Sequence, residues 1–240
     1  MKNTSALSAF TLIEMLFVTS VTGILAGLLF PAFHGAQTQA AAVSIGNNGR
    51  NIVLSIIATN IEREALSMGE IWPTEDACFK DWQKADEPSG YTQGVSETYF
   101  ADLMEYYIVE GISPVIFAGA GIPAAANTDE FRAGGRNAWS YIGGCPSDIP
   151  YDMPFLITQN FRITNDDLRC VSDDKIKPPA LADRLDASKL PFGDTKVVTV
   201  SRGAEMIIVK AAQLDPRVFY GAPLASPSPD LKDITVVHAK

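Results

Sequence analysis

The chain has 240 residues, of which 47% are hydrophobic and 20% are charged, and its formal net charge is −9. This composition is ordinary for a globular protein, so it excludes a disordered chain and a mainly membrane-embedded one. The acidic balance disfavours nonspecific binding of nucleic acid by the bulk surface, because such binding needs Lys and Arg to displace counterions.

The N-terminal region contains an apolar stretch, residues 15–33, that is long enough to cross a bilayer. No formal charge occurs between Glu14 and Arg50, and Lys2 is the only charged side chain before Glu14. Because positive residues tend to stay on the cytoplasmic side, we expect the start of the chain to be cytoplasmic and the bulk to be exported.

Glu14 stands at the entrance to this apolar stretch and is its one acid. A carboxylate inside lipid is costly, so it indicates a functional group with a partner. A secretory signal peptide cleaved after Ala40-Ala41-Ala42 is one alternative, but its apolar region would be about 7–15 residues, shorter than this one. A plain transmembrane anchor is another alternative, and it leaves Glu14 without a role.

The order Ala9-Phe10-Thr11-Leu12-Ile13-Glu14, followed by the apolar stretch and Pro31, resembles the N-terminal segment of type IV pilins and type II secretion pseudopilins. The resemblance implies that a prepilin peptidase cuts between Ala9 and Phe10 and that Phe10 is then N-methylated. In that family the residue before the cut is usually Gly, whereas this chain has the small residue Ala9.

The same resemblance implies how the subunit would assemble. Glu14 would pair with the terminal amine of a neighbouring subunit, since a buried acid is tolerated when it meets an opposite charge. Pro31 would mark a place where the helix bends or melts in a filament, because it lacks a backbone N–H. The remaining assembly residues would be Thr11, Leu12 and Ile13.

Beyond Pro31, Ala-rich sequence and the spacing of apolar residues predict that the helix continues to about residues 68–69, with Gly69 as its C-cap. Gly46 and Gly49 predict a bend or fraying at its centre, since Gly costs about 1 kcal/mol relative to Ala in a helix. With the cleavage site that the resemblance implies, the chain would divide into a leader at 1–9, a transmembrane and spine helix at 10–69, and an extracytoplasmic head at 70–240.

The head contains short elements of both kinds. Helices are predicted at 97–109 and 180–189, and strands at 139–144, 154–158 and 234–238, with a hairpin over 195–209. A long N-terminal helix followed by clustered strands predicts an α+β fold. The pilin resemblance implies that the strands form an antiparallel sheet packed on the helix.

Catalytic motifs are absent from the sequence. The chain has two His, His34 and His238, and it lacks G-x-S-x-G, a Walker A loop and HExxH. A Ser-His-Asp triad would have to use His238. We therefore predict that the protein is not an enzyme and needs no cofactor.

Metal and disulfide chemistry offer minor candidates. Asp173 and Asp174 could supply a few of the six to eight oxygens that calcium takes, although solvated loop acids are the simpler interpretation. Cys78, Cys145 and Cys170 allow one disulfide in three alternative pairings, and no CxxC spacing occurs.

The predicted function is that of a structural subunit of a type IV pilus-like filament or a type II secretion pseudopilus in the inner membrane. Its predicted partners are prepilin peptidase, other copies or related subunits, the inner-membrane assembly platform and, before assembly, membrane lipid. An alternative is a membrane-anchored binding module or enzyme that does not polymerise. A third possibility, a DNA-uptake subunit, would need a basic face, and Arg132 and Arg136 are the compact candidates for one. The acidic net charge does not favour nucleic acid as a partner.

Overall fold

A computed structural model describes residues 11–73, 91, 94–106, 109–144, 151–165, 167, 181–214 and 234–240. The chain divides into two compact units, Met1–Ala40 and Ala41–Lys240. The described part of the first unit is helical. The second unit contains the rest of α1, the sheet and the other helices; it begins before the head predicted at 70–240, and it is called the head below.

The predicted N-terminal helix is present as α1, Leu12–Ala65, with Pro31 inside it. The helix ends before the predicted residue, because Ser67 rather than Gly69 adopts the left-handed conformation, with φ of 57°. The Met68 N–H donates to the Arg63 carbonyl at 2.8 Å and the Ser67 N–H donates to the Glu64 carbonyl at 2.9 Å. These two bonds form a Schellman motif, which satisfies the last carbonyls of the helix.

The predicted fraying at Gly46 and Gly49 is wrong, since α1 continues through both residues, and the alternative of a bend there stays a prediction. Both glycines are buried where the helix packs closely on the sheet. A Cβ on Gly49 would lie 2.6 Å from Cζ2 of Trp139, and a Cβ on Gly46 would lie 2.8 Å from Cγ of Met206. The glycines therefore form a notch that receives these side chains, and tertiary packing overrides their poor helix propensity.

The head contains a five-stranded antiparallel sheet, which confirms the α+β prediction and the antiparallel pairing. The strand order is β4-β3-β2-β1-β5. All the predicted strands are present: β1 Trp139–Gly143, β2 Pro154–Thr158, β3 Lys196–Ser201, β4 Met206–Lys210 and β5 Thr235–Val237.

Apolar clusters cover both faces of the sheet. On one face, α1 contributes Ile45, Ile52 and Ile56 to a core that also contains many of the aromatic residues of the head. On the other face a smaller cluster includes Phe161 and Ile234, together with other apolar side chains of the strands. Because both faces are covered, β1, β2 and β3 are buried at every position instead of alternating between buried and exposed.

In the described part of the head, two further α-helices have complete bounds, α2 at Ser96–Glu105 and α3 at Thr128–Arg132. The first was predicted, and the second was missed although Asn127 accepts a bond from the Glu130 N–H as an N-cap. The helix predicted at 180–189 is wrong. Only the 3₁₀ turn Leu181–Arg184 forms there, and Asp186 accepts a bond from the Ser188 N–H, which competes with helix.

Candidate functional site

The first part of α1 exposes a continuous apolar surface. It contains a stretch that is long and apolar enough to cross a membrane, and none of that stretch is buried in the structure. Among the described residues it is the one helix of this kind. A surface of this size needs lipid or another apolar helix to cover it. Its large exposed side chains include Leu12, Ile13, Met15, Leu16, Phe17, Val18, Ile24, Leu25, Leu28, Leu29, Phe30 and Phe33.

Glu14 and Thr11 are joined by hydrogen bonds at the start of α1. The Thr11 backbone N–H and hydroxyl donate to Oε2 of Glu14 at 2.8 Å and 2.6 Å, and the Glu14 N–H points to the Thr11 hydroxyl oxygen at 3.3 Å. This reciprocal arrangement is a capping box. Sequence reasoning missed it, although the T-x-x-E spacing of Thr11 and Glu14 is the pattern that signals one.

The predicted assembly residues fall into two groups along α1. Thr11, Leu12, Ile13 and Glu14 lie together at its first turn, and Pro31 lies 17 positions after Glu14, or about 25 Å along the axis. Pro31 does not end the helix. It removes the donor that would serve the carbonyl of Gly27. The bend or melting at Pro31 in a filament stays a prediction.

Hydroxyl groups in the apolar part of α1 bond to the helix itself. Thr19 donates to the Met15 carbonyl at 2.9 Å, and Ser20 donates to the Leu16 carbonyl at 2.7 Å. Polar groups in hydrocarbon need a partner within the protein. These side chains therefore suit a lipid environment even though they are polar.

A second acid, Glu97, is almost fully buried in the head, with 1% of its surface exposed. The Lys240 N–H lies 3.1 Å and 3.2 Å from its two carboxylate oxygens. Burial raises the pKa of Glu97 above its usual value, against hydrogen bonds that include those from Lys240 and Asn137. Sequence reasoning did not select Glu97, because its partner lies 143 residues away.

His238 contacts a serine, as a hydrolase would require, but in a buried setting. Its Nδ1 lies 3.3 Å from the Ser140 hydroxyl, and its Nε2 lies 2.9 Å from the Ile163 carbonyl oxygen. Ser140 has no exposed surface. A nucleophile must reach its substrate, so this pair serves to hold the chain in place rather than to attack a bound molecule.

The arginines that would form a basic face are paired with acids. Arg132 lies 2.9 Å from both Asp102 and Glu105, and Arg136 forms an ion pair with Glu130. A phosphate would have to compete with these carboxylates for each guanidinium group.

Several predicted site residues lie outside the described part of the chain: Ala9, Phe10, the calcium candidates Asp173 and Asp174, and Cys78, Cys145 and Cys170. Within the described ranges, no group of three or more His, Cys, Asp or Glu side chains could hold a metal ion.

No protein-family model, no curated protein and no solved structure matches this chain. Its function must therefore be inferred from the residues and their geometry.

Proposed function

We propose that this chain is a structural subunit of a type IV pilus-like filament or a type II secretion pseudopilus. The observation that carries the proposal is the composition of α1, Leu12–Ala65. Its first part is exposed and apolar, with a single acid in its first turn, whereas its second part is built into the core of an α+β head. A helix divided in this way suits a subunit that is held in lipid first and among other subunits' helices afterwards.

Glu14 would supply the register of assembly. Both Thr11 donors reach Oε2, and among the described residues no donor reaches Oε1. A carboxylate has about four lone-pair sites, so Oε1 keeps the capacity to accept from the amine of a neighbouring subunit. Cleavage between Ala9 and Phe10 would create such an amine one residue before Thr11. Ion pairing in a low-dielectric environment would favour the position along the filament at which the two charges meet.

The helix surface supports close contact with other helices. Gly23 and Gly27 are four residues apart and therefore lie on the same face of α1, and beyond the adjoining helix backbone and chain neighbours nothing lies within 4 Å of where a Cβ on either would be. Small residues let two helix backbones approach closely in lipid, where packing replaces the hydrophobic effect as the main attraction.

Intact-mass and N-terminal analysis of the membrane-extracted protein tests the processing step. The proposal expects a chain that starts at N-methylated Phe10. A chain that keeps Met1 or Lys2 would contradict it and would favour the alternative, a membrane-anchored binding module or enzyme that does not polymerise.

A pair of variants tests the role of Glu14 and separates its charge from its capping. Glu14→Gln removes the charge and keeps a side chain that functions in a capping box. Thr11→Ala removes the capping hydroxyl and keeps the charge. We expect both variants to insert into the membrane, Glu14→Gln to form no filaments, and Thr11→Ala to form them. Filaments from Glu14→Gln, seen by electron microscopy, would refute the charge-pairing role.

A further inference from the structure

The last described segment of the chain, residues 234–240, closes one edge of the sheet and is called the strap below. Its central residues form β5, which pairs with β1 through Tyr141 and Val237, Ile142 and Val236, and Gly143 and Thr235. Ile234 and Val237 are each 1% exposed, so apolar burial holds the strap as well as strand pairing.

Polar contacts fasten the end of the strap to two other parts of the head, the first turn of α2 and strand β1. The Ser96 N–H, in the first turn of α2, donates to the His238 carbonyl at 3.0 Å. The Ala239 N–H lies 3.4 Å from the Ser140 hydroxyl oxygen of β1, and the Lys240 N–H donates to Glu97. The strap thus takes the place of a side-chain cap on α2, which has none of its own.

His238 fits this position in its neutral form. A carbonyl oxygen only accepts, so the contact of Nε2 with the Ile163 carbonyl requires the proton on Nε2. Nδ1 is then an acceptor, and the Ser140 hydroxyl donates to it. A second proton would make Nδ1 a donor, so the hydroxyl of Ser140 would have to turn away from it. It would also place a positive charge on a half-buried ring with Arg162 nearby.

We propose that His238 makes the strap an acid-sensitive fastening, so that protonation of its ring opens the strap more often and exposes the β1 edge at residues 141–143. An uncovered strand edge presents unpaired N–H and C=O groups that another strand can join.

The electrostatics of the site support this direction. Burial lowers the pKa of His238 from its usual value near 6.5, Arg162 lowers it further, and the bond to the Ile163 carbonyl opposes the two. A His with a lowered pKa stabilises the closed state above pH 6.5, and this stabilisation is lost as the pH falls through the lowered pKa.

Among the residues that the structure describes, the other charged groups around the strap are Glu97 of α2, Arg162 and Lys240 itself. Glu97 acts in the opposite direction, because a raised pKa means that the closed state takes up a proton more readily as the pH falls. Ser140, the contact from β1, does not titrate. His238 would therefore favour opening of the strap in acid, and Glu97 would oppose it. In Glu97→Gln this opposition is removed, so the acid-induced opening should be larger.

Hydrogen–deuterium exchange of the full chain in detergent micelles tests the proposal, at about pH 7.5 and about pH 5. Each rate is divided by the rate expected for an unfolded chain at the same pH, which gives a protection factor. We expect the protection of the peptide containing 234–240 to fall at least about threefold at the lower pH in the wild type. His34→Gln is the matched control, since the chain has only these two His, and it should behave like the wild type.

His238→Gln should keep its protection at the lower pH, because Gln can donate to the Ile163 carbonyl but takes up no proton. An equal fall in that variant, or no fall in the wild type, would overturn the proposal. If the strap of His238→Gln already exchanges without protection at the higher pH, that variant cannot test the proposal, and Arg162→Gln is used in its place. Removing that positive charge should raise the pKa of His238, measured by NMR, and reduce the fall, and an unchanged fall would overturn the proposal.

Discussion

The notch at Gly49 predicts that a single added methyl group destabilises the head. In Gly49→Ala the new Cβ would lie 2.6 Å and 2.7 Å from two ring atoms of Trp139 and 2.9 Å from Cγ2 of Val200. Overpacking of this kind costs about 1–3 kcal/mol, whereas Ala gains about 1 kcal/mol over Gly in helix propensity. We expect a net loss of about 1 kcal/mol, which lowers the melting temperature by about 2–4 °C for a domain of this size.

Thermal unfolding of the full chain in detergent, followed by near-UV circular dichroism, measures this loss. Asn51→Ala is the matched control, since it changes helix propensity at an exposed position of the same helix, and it should not lower the melting temperature. In a Trp139→Phe background the two close ring atoms are gone, so Gly49→Ala should cost about 1 kcal/mol less there. A melting temperature that rises in Gly49→Ala alone would refute the close packing of α1 on the sheet.

Three further changes test the head. Ser67→Gly should increase the free energy of unfolding by about 0.5 kcal/mol, because Gly adopts the left-handed conformation without a steric cost, and a decrease in chemical denaturation would contradict this. Glu97 has a raised pKa, so its contribution to stability is complete below about pH 4.5 and is lost as the pH rises through the raised value. The melting temperature of Glu97→Gln should therefore fall less than that of the wild type between about pH 4.5 and pH 7, and equal slopes would count against this. Arg132→Ala should cost about 1 kcal/mol, because it leaves the buried carboxylate of Asp102 without its guanidinium partner, and Arg136→Ala should cost less because its partner is more exposed.

The features that sequence reasoning found depend on local patterns. The apolar stretch at residues 15–33 predicts a helix that is long and apolar enough to cross a membrane, and the structure contains one there. The hairpin of β3 and β4 follows from β-branched runs on either side of the turn predicted at residues 201–204. Such elements need no knowledge of the rest of the chain, which is why their existence and their order were predicted correctly.

The features that sequence reasoning missed depend on contacts between residues far apart in the sequence. Gly46 and Gly49 looked like weak points because nothing near them shows that Trp139 and Met206 will fill the space a side chain would take. Glu97 looked like an ordinary helical acid because its partner, Lys240, lies 143 residues away in the sequence. In both cases the tertiary contact, and not the local propensity, decides what the residue does.

The capping box gives Glu14 a structural role that requires no filament, and the two roles must be weighed against each other. A Glu at this position of a helix in water would be explained by capping alone. In lipid the same carboxylate is costly unless donors surround it, and Thr11 supplies two of them within the subunit. Because both donors reach Oε2, the capping box leaves Oε1 with the capacity to accept a further hydrogen bond. If the proposed function is right, the chain would remain in the membrane before assembly and would still present Oε1 to an incoming amine. Capping and charge pairing would then be successive uses of one side chain, and Gln, which can serve only the first, is the substitution that separates them.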